Sequence, residues 1–334
     1  MDSRQRVSAA LTFQHPDRAP RDIWALPYVT TIRKDEYQEL ISKYPPDVEG
    51  LSPTYPPDVQ RPNGFHQIGN YIDEWGSVWY LAEPGVVGEV KEPALAEWKK
   101  LEHYCLPWHL IQKRDFSFLN SRCDQTEKFT LSEASVRIFE RMQFLRGSQN
   151  LFIDIGYGTP EFRRLLEMLH EYYVLDLESW CNTNLDAICL MDDWGTNDRL
   201  LINPKTWRAI FKPIYREFCE IIHKAGKYVF FHSDGNIKSI YGDLIEIGMD
   251  AINSQLFTMD IEKLARDYKG KVTFWGEIDR QHILPFGSPQ AVQQAVWRVR
   301  HALDDGKGGV FAQCEWGKYD PVENIETVFQ TWLE

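Results

Sequence analysis

The chain has 334 residues, 43% of them hydrophobic and 26% charged, long enough to bury one large core or two medium ones. Its formal net charge of −12 and sequence pI near 5.3 argue against nucleic acid or anionic lipid as the main partner, because both need a basic face. Met1 is followed by a polar stretch, and no run of about 18 apolar residues occurs, so no membrane span is expected and a cytoplasmic location is. The six cysteines are scattered without paired spacing and are expected to be reduced.

Residues 3–14 read as an amphipathic helix, with Ser3 as cap, Val7, Ala10 and Leu11 on one face, and Pro16 just beyond. Residues 22–28 form the first strand candidate. From about 30 to 72 prolines crowd an irregular stretch that a helix near 35–43 interrupts. It is expected as an insertion covering the mouth of the fold, an inert surface excursion being the alternative. Tyr71–Glu83 alternates apolar and polar residues and meets Pro84-Gly85, as a strand or hairpin does. A strand at 128–133 and helices over 134–147 and 159–184 follow. In the second helix Leu165, Leu169, Tyr173, Leu177 and Trp180 recur at helical spacing, a core stripe.

The second half alternates strand and helix, the pattern of parallel strands joined by crossover helices. Counting 22–28, 76–82, 128–133, 187–192, 227–232, 250–254, 271–275 and 309–314 gives eight strands. The expected fold is therefore an α/β (β/α)8 TIM barrel, one domain over 1–334 with an N-terminal helix and a lid-like insertion at 30–72. An open doubly wound sheet is the alternative, but no GxGxxG follows the first strand.

In a barrel the chemistry gathers at the C-terminal strand ends. The clearest such end is KYVFFHSDG, Lys227–Gly235, where a run of β-formers delivers His232 and Asp234 two apart and therefore toward one side. The other ends supply Glu133, Asp192 and Asp193, Gln255, Glu277 and Cys314. Asp192, Asp193 and His232 are the candidate catalytic residues, with helix capping the alternative role for the two aspartates. A metal set of His232, Asp234, Glu277 and Cys314 offers N, O and S donors, which favours zinc over magnesium or calcium; a buried small hydrophobe is the alternative reading of Cys314. Trp24, Tyr28, Glu133, Trp194, Gln255 and Trp316 are expected to contact a small-molecule substrate, though in a chain with 12 tryptophans several must be core.

The stretches RVSAALTFQHPDRAP (6–20), YIDEWGSVW (71–79), MDDWGT (191–196), HKAGKYVFFHSDGNI (223–237), FWGEIDRQHILPFGSP (274–289) and DPVENI (320–325) resemble the uroporphyrinogen decarboxylase-like superfamily. The likeness is closer to its corrinoid-linked methyltransferases than to the haem-pathway decarboxylase. The arginine-rich RQAGRY-type segment of the decarboxylases corresponds here to RDIWALPYVTTI, which has Arg21 but no second arginine. The zinc-dependent methyltransferases hold their metal with His-x-Cys and a distant Cys; the matching positions are His232, Asp234 and Cys314, with Glu277 standing where relatives commonly have glycine. Asp234 in place of cysteine implies a His/Asp/Cys/Glu zinc site, an altered metal, or a lost site. The resemblance implies methyl transfer between a small substrate and a corrinoid on a partner protein, an oxygen substrate suiting Asp234 better than a thiol. A decarboxylase or lyase acting on a non-porphyrin substrate and a degenerate ligand-binding barrel are the alternatives.

Overall fold

The structure, a computed structural model, describes residues 1–59, 68–133 and 136–334. Its strands are β1 (Arg21–Ala25), β2 (Val48–Leu51), β3 (Gly69–Ile72), β4 (Val78–Leu81), β5 (Glu89–Glu92), β6 (Phe129–Ser132), β7 (Ala187–Met191), β8 (Tyr228–Ser233), β9 (Ala251–Ser254), β10 (Thr273–Phe274) and β11 (Ala312–Trp316). A six-stranded parallel sheet runs β10-β9-β8-β7-β6-β2, and β1 pairs in parallel with β11. Backbone hydrogen bonds bring the two sheets together at both edges: Asp47 N–H to the Arg21 carbonyl (2.8 Å) on one side, Phe274 N–H to the Gly309 carbonyl (2.9 Å) on the other. Long helices, Pro160–Cys181, Lys212–Lys224, Pro289–Leu303 and Val322–Leu333 among them, cover the outer face.

The strand count predicted from sequence holds for seven of these stretches and is corrected at one. The second parallel strand is Val48–Leu51, inside the stretch expected to be irregular, while 76–82 contributes β4 to a small antiparallel sheet, β3-β4-β5. VEGL carries a glutamate and a glycine after two prolines, so it lacks any run of β-formers; its pairing with β6 and the Arg122 and Thr126 bonds to Glu49 hold it. The part of the expected lid at 60–67 lies outside the described residues.

Two apolar cores flank the strands. Inside, Phe129, Leu131, Cys189, Phe230, Trp275 and Phe311 interdigitate, and Val7 and Leu11 of helix Ser3–Leu11 join them from the N-terminal side of the strands. That helix is capped by Asp2 rather than Ser3; Ser3 instead donates to Asp47. Asp47, 1% exposed, also takes Arg6, Arg18 and the Arg21 N–H, which locks the helix onto the starts of β1 and β2. Among the described residues no helix is long and apolar enough to cross a membrane.

Candidate active site

β8 places His232 one residue from its end, in register with Asn253 of β9. The Asn253 side-chain N–H donates to the Trp275 carbonyl, so its Oδ1 is the atom that faces His232 Nδ1 at 2.6 Å. The imidazole therefore donates from Nδ1 and turns Nε2 toward Asp234 Oδ1 at 3.4 Å and Asp193 Oδ1 at 3.6 Å. The Asp234 N–H donates to Asp193 (2.9 Å), coupling the loops after β7 and β8. These loops touch: a Cβ on Gly235 (φ +76°) would stand 2.3 Å from the Gly195 carbonyl carbon, an approach only glycine permits. The Trp24 ring lies 4.6 Å from the imidazole.

Arg280, in the loop after β10, reaches across from the opposite side. Its guanidinium pairs with Asp234, with Glu315 of β11 at 2.5 Å, and with Glu277 at 3.5 Å. A cavity of about 270 Å³, near the lower end of small-molecule sites, opens beside them, lined by Gln255, Glu277, Asp279 and Arg280 among others.

Burial alone would lower His232; the adjoining Asp234 and the charges of Asp193 and Glu277 outweigh it and raise the imidazole to about 9. Burial pushes Asp234 up, but His232 and Arg280 prevail and hold it well below the usual carboxylate range. Burial lifts Glu277 to about 8 against the pull of Arg280, with Glu315 and Asp234 adding to the rise. Burial, then the charge of Asp234, raises Asp193. These shifts favour the imidazolium form of His232, the ionised form of Asp234 and the protonated form of Glu277.

Of the residues singled out from sequence, the structure groups His232 with Asp234 and adds Asp193; the ligand atoms of these three all lie within 4.8 Å of one another. Cys314 and Glu277 stand outside that group. Cys314 is in the middle of β11, and like Ala312 and Trp316 it packs into the outer core. Asp192 also points outward, accepting from the Phe139 and Glu140 N–H groups and from Tyr215, so it caps helix Ile138–Arg146. Trp194 stacks on Phe139 at 3.9 Å in that outer core, and Trp316 is buried there too. Trp24 faces the site. Gln255 accepts from the Gly235 N–H (2.8 Å) and lines the cavity. Glu133 joins the ends of β6 and β2 through its N–H to Leu51, and Tyr28 lies under the Lys318 ammonium. Sequence reasoning passed over Arg280, and also Glu140, which burial lifts to about 7 against Arg137 while Asp193 adds to the rise. Arg280 had a signal, its place three residues beyond Glu277; Glu140, within a helix, had none.

Residues 146–332, more than half of the chain, match the family model described as Uroporphyrinogen decarboxylase (URO-D). The chain belongs to that family. Among solved structures this URO-D family member is similar to a methyltransferase from Methanosarcina mazei, with a TM-score of 0.73 at 12% identity over 99% of this chain and 98% of that one. It is more distantly similar to xylanase 10B from Thermotoga maritima, with a TM-score of 0.46 at 8% identity over 100% and 98% of the two chains. No curated protein sequence matches it. The likeness to the methyltransferase is one of fold: the two share an α/β architecture of TIM-barrel type.

The Asp193–His232–Asp234 group suits a divalent cation. Ligand atoms about 2.1 Å from a tetrahedral ion lie about 3.4 Å apart, and the Nε2 separations of 3.4 and 3.6 Å match that edge. Nδ1 is engaged by Asn253, which leaves Nε2 as the ligating nitrogen and supplies the outer hydrogen bond such a ligand requires. The donors are one nitrogen and two oxygens, compatible with zinc or a harder first-row ion.

Below the group, Asp22 on β1 is 6% exposed and accepts from Trp275 Nε1 (2.7 Å) and the Ile23 N–H (2.9 Å). Burial, only partly offset by these bonds, raises it to about 6. Because the folded value exceeds the unfolded one, its contribution to stability is full below about pH 4 and is lost as pH rises through 6. Asp22→Asn is expected to remove that slope. Denaturant unfolding at pH 4 and pH 7 should show the variant gaining about 2–3 kcal/mol on the parent between the two; parallel profiles would refute it.

Proposed function

We propose that this URO-D family member is a metal-dependent methyltransferase, moving a methyl group between a small oxygen-containing substrate and a corrinoid carried by a partner protein in the cytoplasm. In this reading the two parallel sheets close one (β/α)8 barrel, and a single catalytic domain spans the chain. The observation that carries it is the Asp193–His232–Asp234 group at the strand ends of a fold shared with a methyltransferase.

Asp193, His232 and Asp234 would hold the cation, zinc or a harder divalent ion, which supplies Lewis acidity toward the substrate oxygen. Asn253 keeps Nε2 of His232 directed at the site, and the Trp275 carbonyl keeps Asn253 in place. Glu277 lines the cavity and burial favours its protonated form, so it would give a proton to an oxygen that loses its methyl group. Arg280 offsets the charge of Asp234 and Glu315, and Trp24 walls the imidazole from water.

Porphyrinogen decarboxylation fits the site poorly. Arg21 begins β1 at the opposite end of the strands, beside Asp47, and Arg280 is already engaged by three carboxylates. A second reading, a lyase acting on a smaller acid, is favoured by one observation: the His232 imidazolium beside Asp193 is a ready proton donor. Both are separated by incubating the metal-loaded protein with cob(I)alamin and a panel of methoxy compounds. Methylcobalamin formation that requires the metal is expected; no methyl transfer together with CO2 release from small carboxylic acids would favour the lyase.

A further inference from the structure

Gln313 lies on β11 between Ala312 and Cys314, which pack outward, so its side chain takes the inner face beside Asp22, its register partner. It is 1% exposed, and among the described residues neither its Nε2 nor its Oε1 has a hydrogen-bond partner. Glu277, 2% exposed, likewise has an Oε1 without a hydrogen-bond partner among the described residues. The two are neighbours: a Cβ on Gly276 would stand 1.8 Å from Gln313 Oε1, so glycine at 276 makes room for the amide next to Glu277. Buried donors and acceptors left unsatisfied are costly and uncommon; of this pair Glu277 lines the cavity beside Arg280, and Gln313 adjoins it through Gly276.

We propose that Gln313 and Glu277 form a substrate subsite that reads a neutral group offering both a carbonyl oxygen and an N–H, of the carboxamide class. The Gln313 amide presents a donor and an acceptor side by side, which pair with the acceptor and donor of another amide. An anionic group would face Asp22, Glu315 and Asp234, and an ammonium would leave the Gln313 N–H without an acceptor. The inference rests on placing the active site at these strand ends, and it adds the group by which the substrate is recognised.

Its test uses the full chain and benzamide as probe, with benzoate and benzylamine as comparisons. Calorimetric titration should show benzamide binding the parent protein at least about tenfold more tightly than either comparison, and Gln313→Leu should forfeit about tenfold of that affinity. Thermal denaturation separates a binding role from a structural one: removing a buried amide that has no partner should raise the melting temperature of the ligand-free protein by about 1–3 °C. Gln313→Met, which keeps the side-chain length, should do the same. A lowered melting temperature in both variants, or benzamide binding that is absent or unchanged by them, would overturn the subsite. None of these readouts needs the cation or a corrinoid, so benzamide selectivity without methyl transfer would retire the methyltransferase reading and leave the subsite standing.

Discussion

Replacing His232 by alanine is expected to abolish both metal retention and methyl transfer while leaving the protein folded. Nε2 is the one nitrogen in the group, set between Asp193 and Asp234, and alanine leaves two carboxylates that already share a raised charge burden. Asn253→Leu keeps the imidazole but removes the acceptor that orients it, so metal affinity should fall about 10–100-fold. The proton on His232, held to about 9, must leave before Nε2 can ligate. Apparent affinity should therefore rise about tenfold per pH unit and level off near pH 9. Competition with a chromophoric chelator across this pH range checks all three. Wild-type affinity in the alanine variant would sink the site.

The second large effect is expected at Arg280. Its side chain is 16% exposed and serves Asp234, Glu277 and Glu315 at once. In Arg280→Met the ionised members of this set, Asp234 foremost, lose their counter-ion, which costs about 3–5 kcal/mol. The sign with pH follows from the raised values of Glu277, about 8, and Glu315. A carboxyl whose folded value is raised contributes stability below its unfolded value and loses it as pH rises through the folded one. Without Arg280 both rise further, so the variant's deficit, set at neutral pH by the ionised Asp234, should widen as pH rises from 7 through the parent's Glu277 value of about 8 toward pH 9. Urea unfolding at pH 7 and pH 9 decides it; a deficit that does not widen between them would mean that Arg280 does not set the ionisation of Glu277 and Glu315.

The parallel strands of the second half were legible because strands buried on both faces read as unbroken β-forming runs. KYVFF and AICLM are such runs, and they became β8 and β7 with His232 and Asp193 at or just past their ends. The strand Val48–Leu51 was not legible, since VEGL owes its conformation to pairing with β6 and to Arg122 rather than to its own propensity. The face each strand presents was harder still. Moving a strand's limits by two residues turns a rim residue into a mid-strand one, and adjacent residues point to opposite sides. Reading β11 as ending at 314 put Cys314 on the rim, whereas the strand continues to Trp316 and sends the thiol outward. The same alternation separates Asp192, a helix cap, from Asp193, which groups with His232 and Asp234. Arg280 escaped notice because its role depends on three chain-distant carboxylates meeting in space.

The proposed metal site is Asp193, His232 and Asp234, with Cys314 playing no part. It is tested most directly by elemental analysis of the parent protein, Cys314→Ser and Asp193→Asn, each purified without chelator and re-offered zinc and manganese. About one divalent ion per chain in the parent and in Cys314→Ser, with the ion lost from Asp193→Asn, is the predicted result. Loss from Cys314→Ser with retention in Asp193→Asn would contradict it and return the thiol to the ligand set.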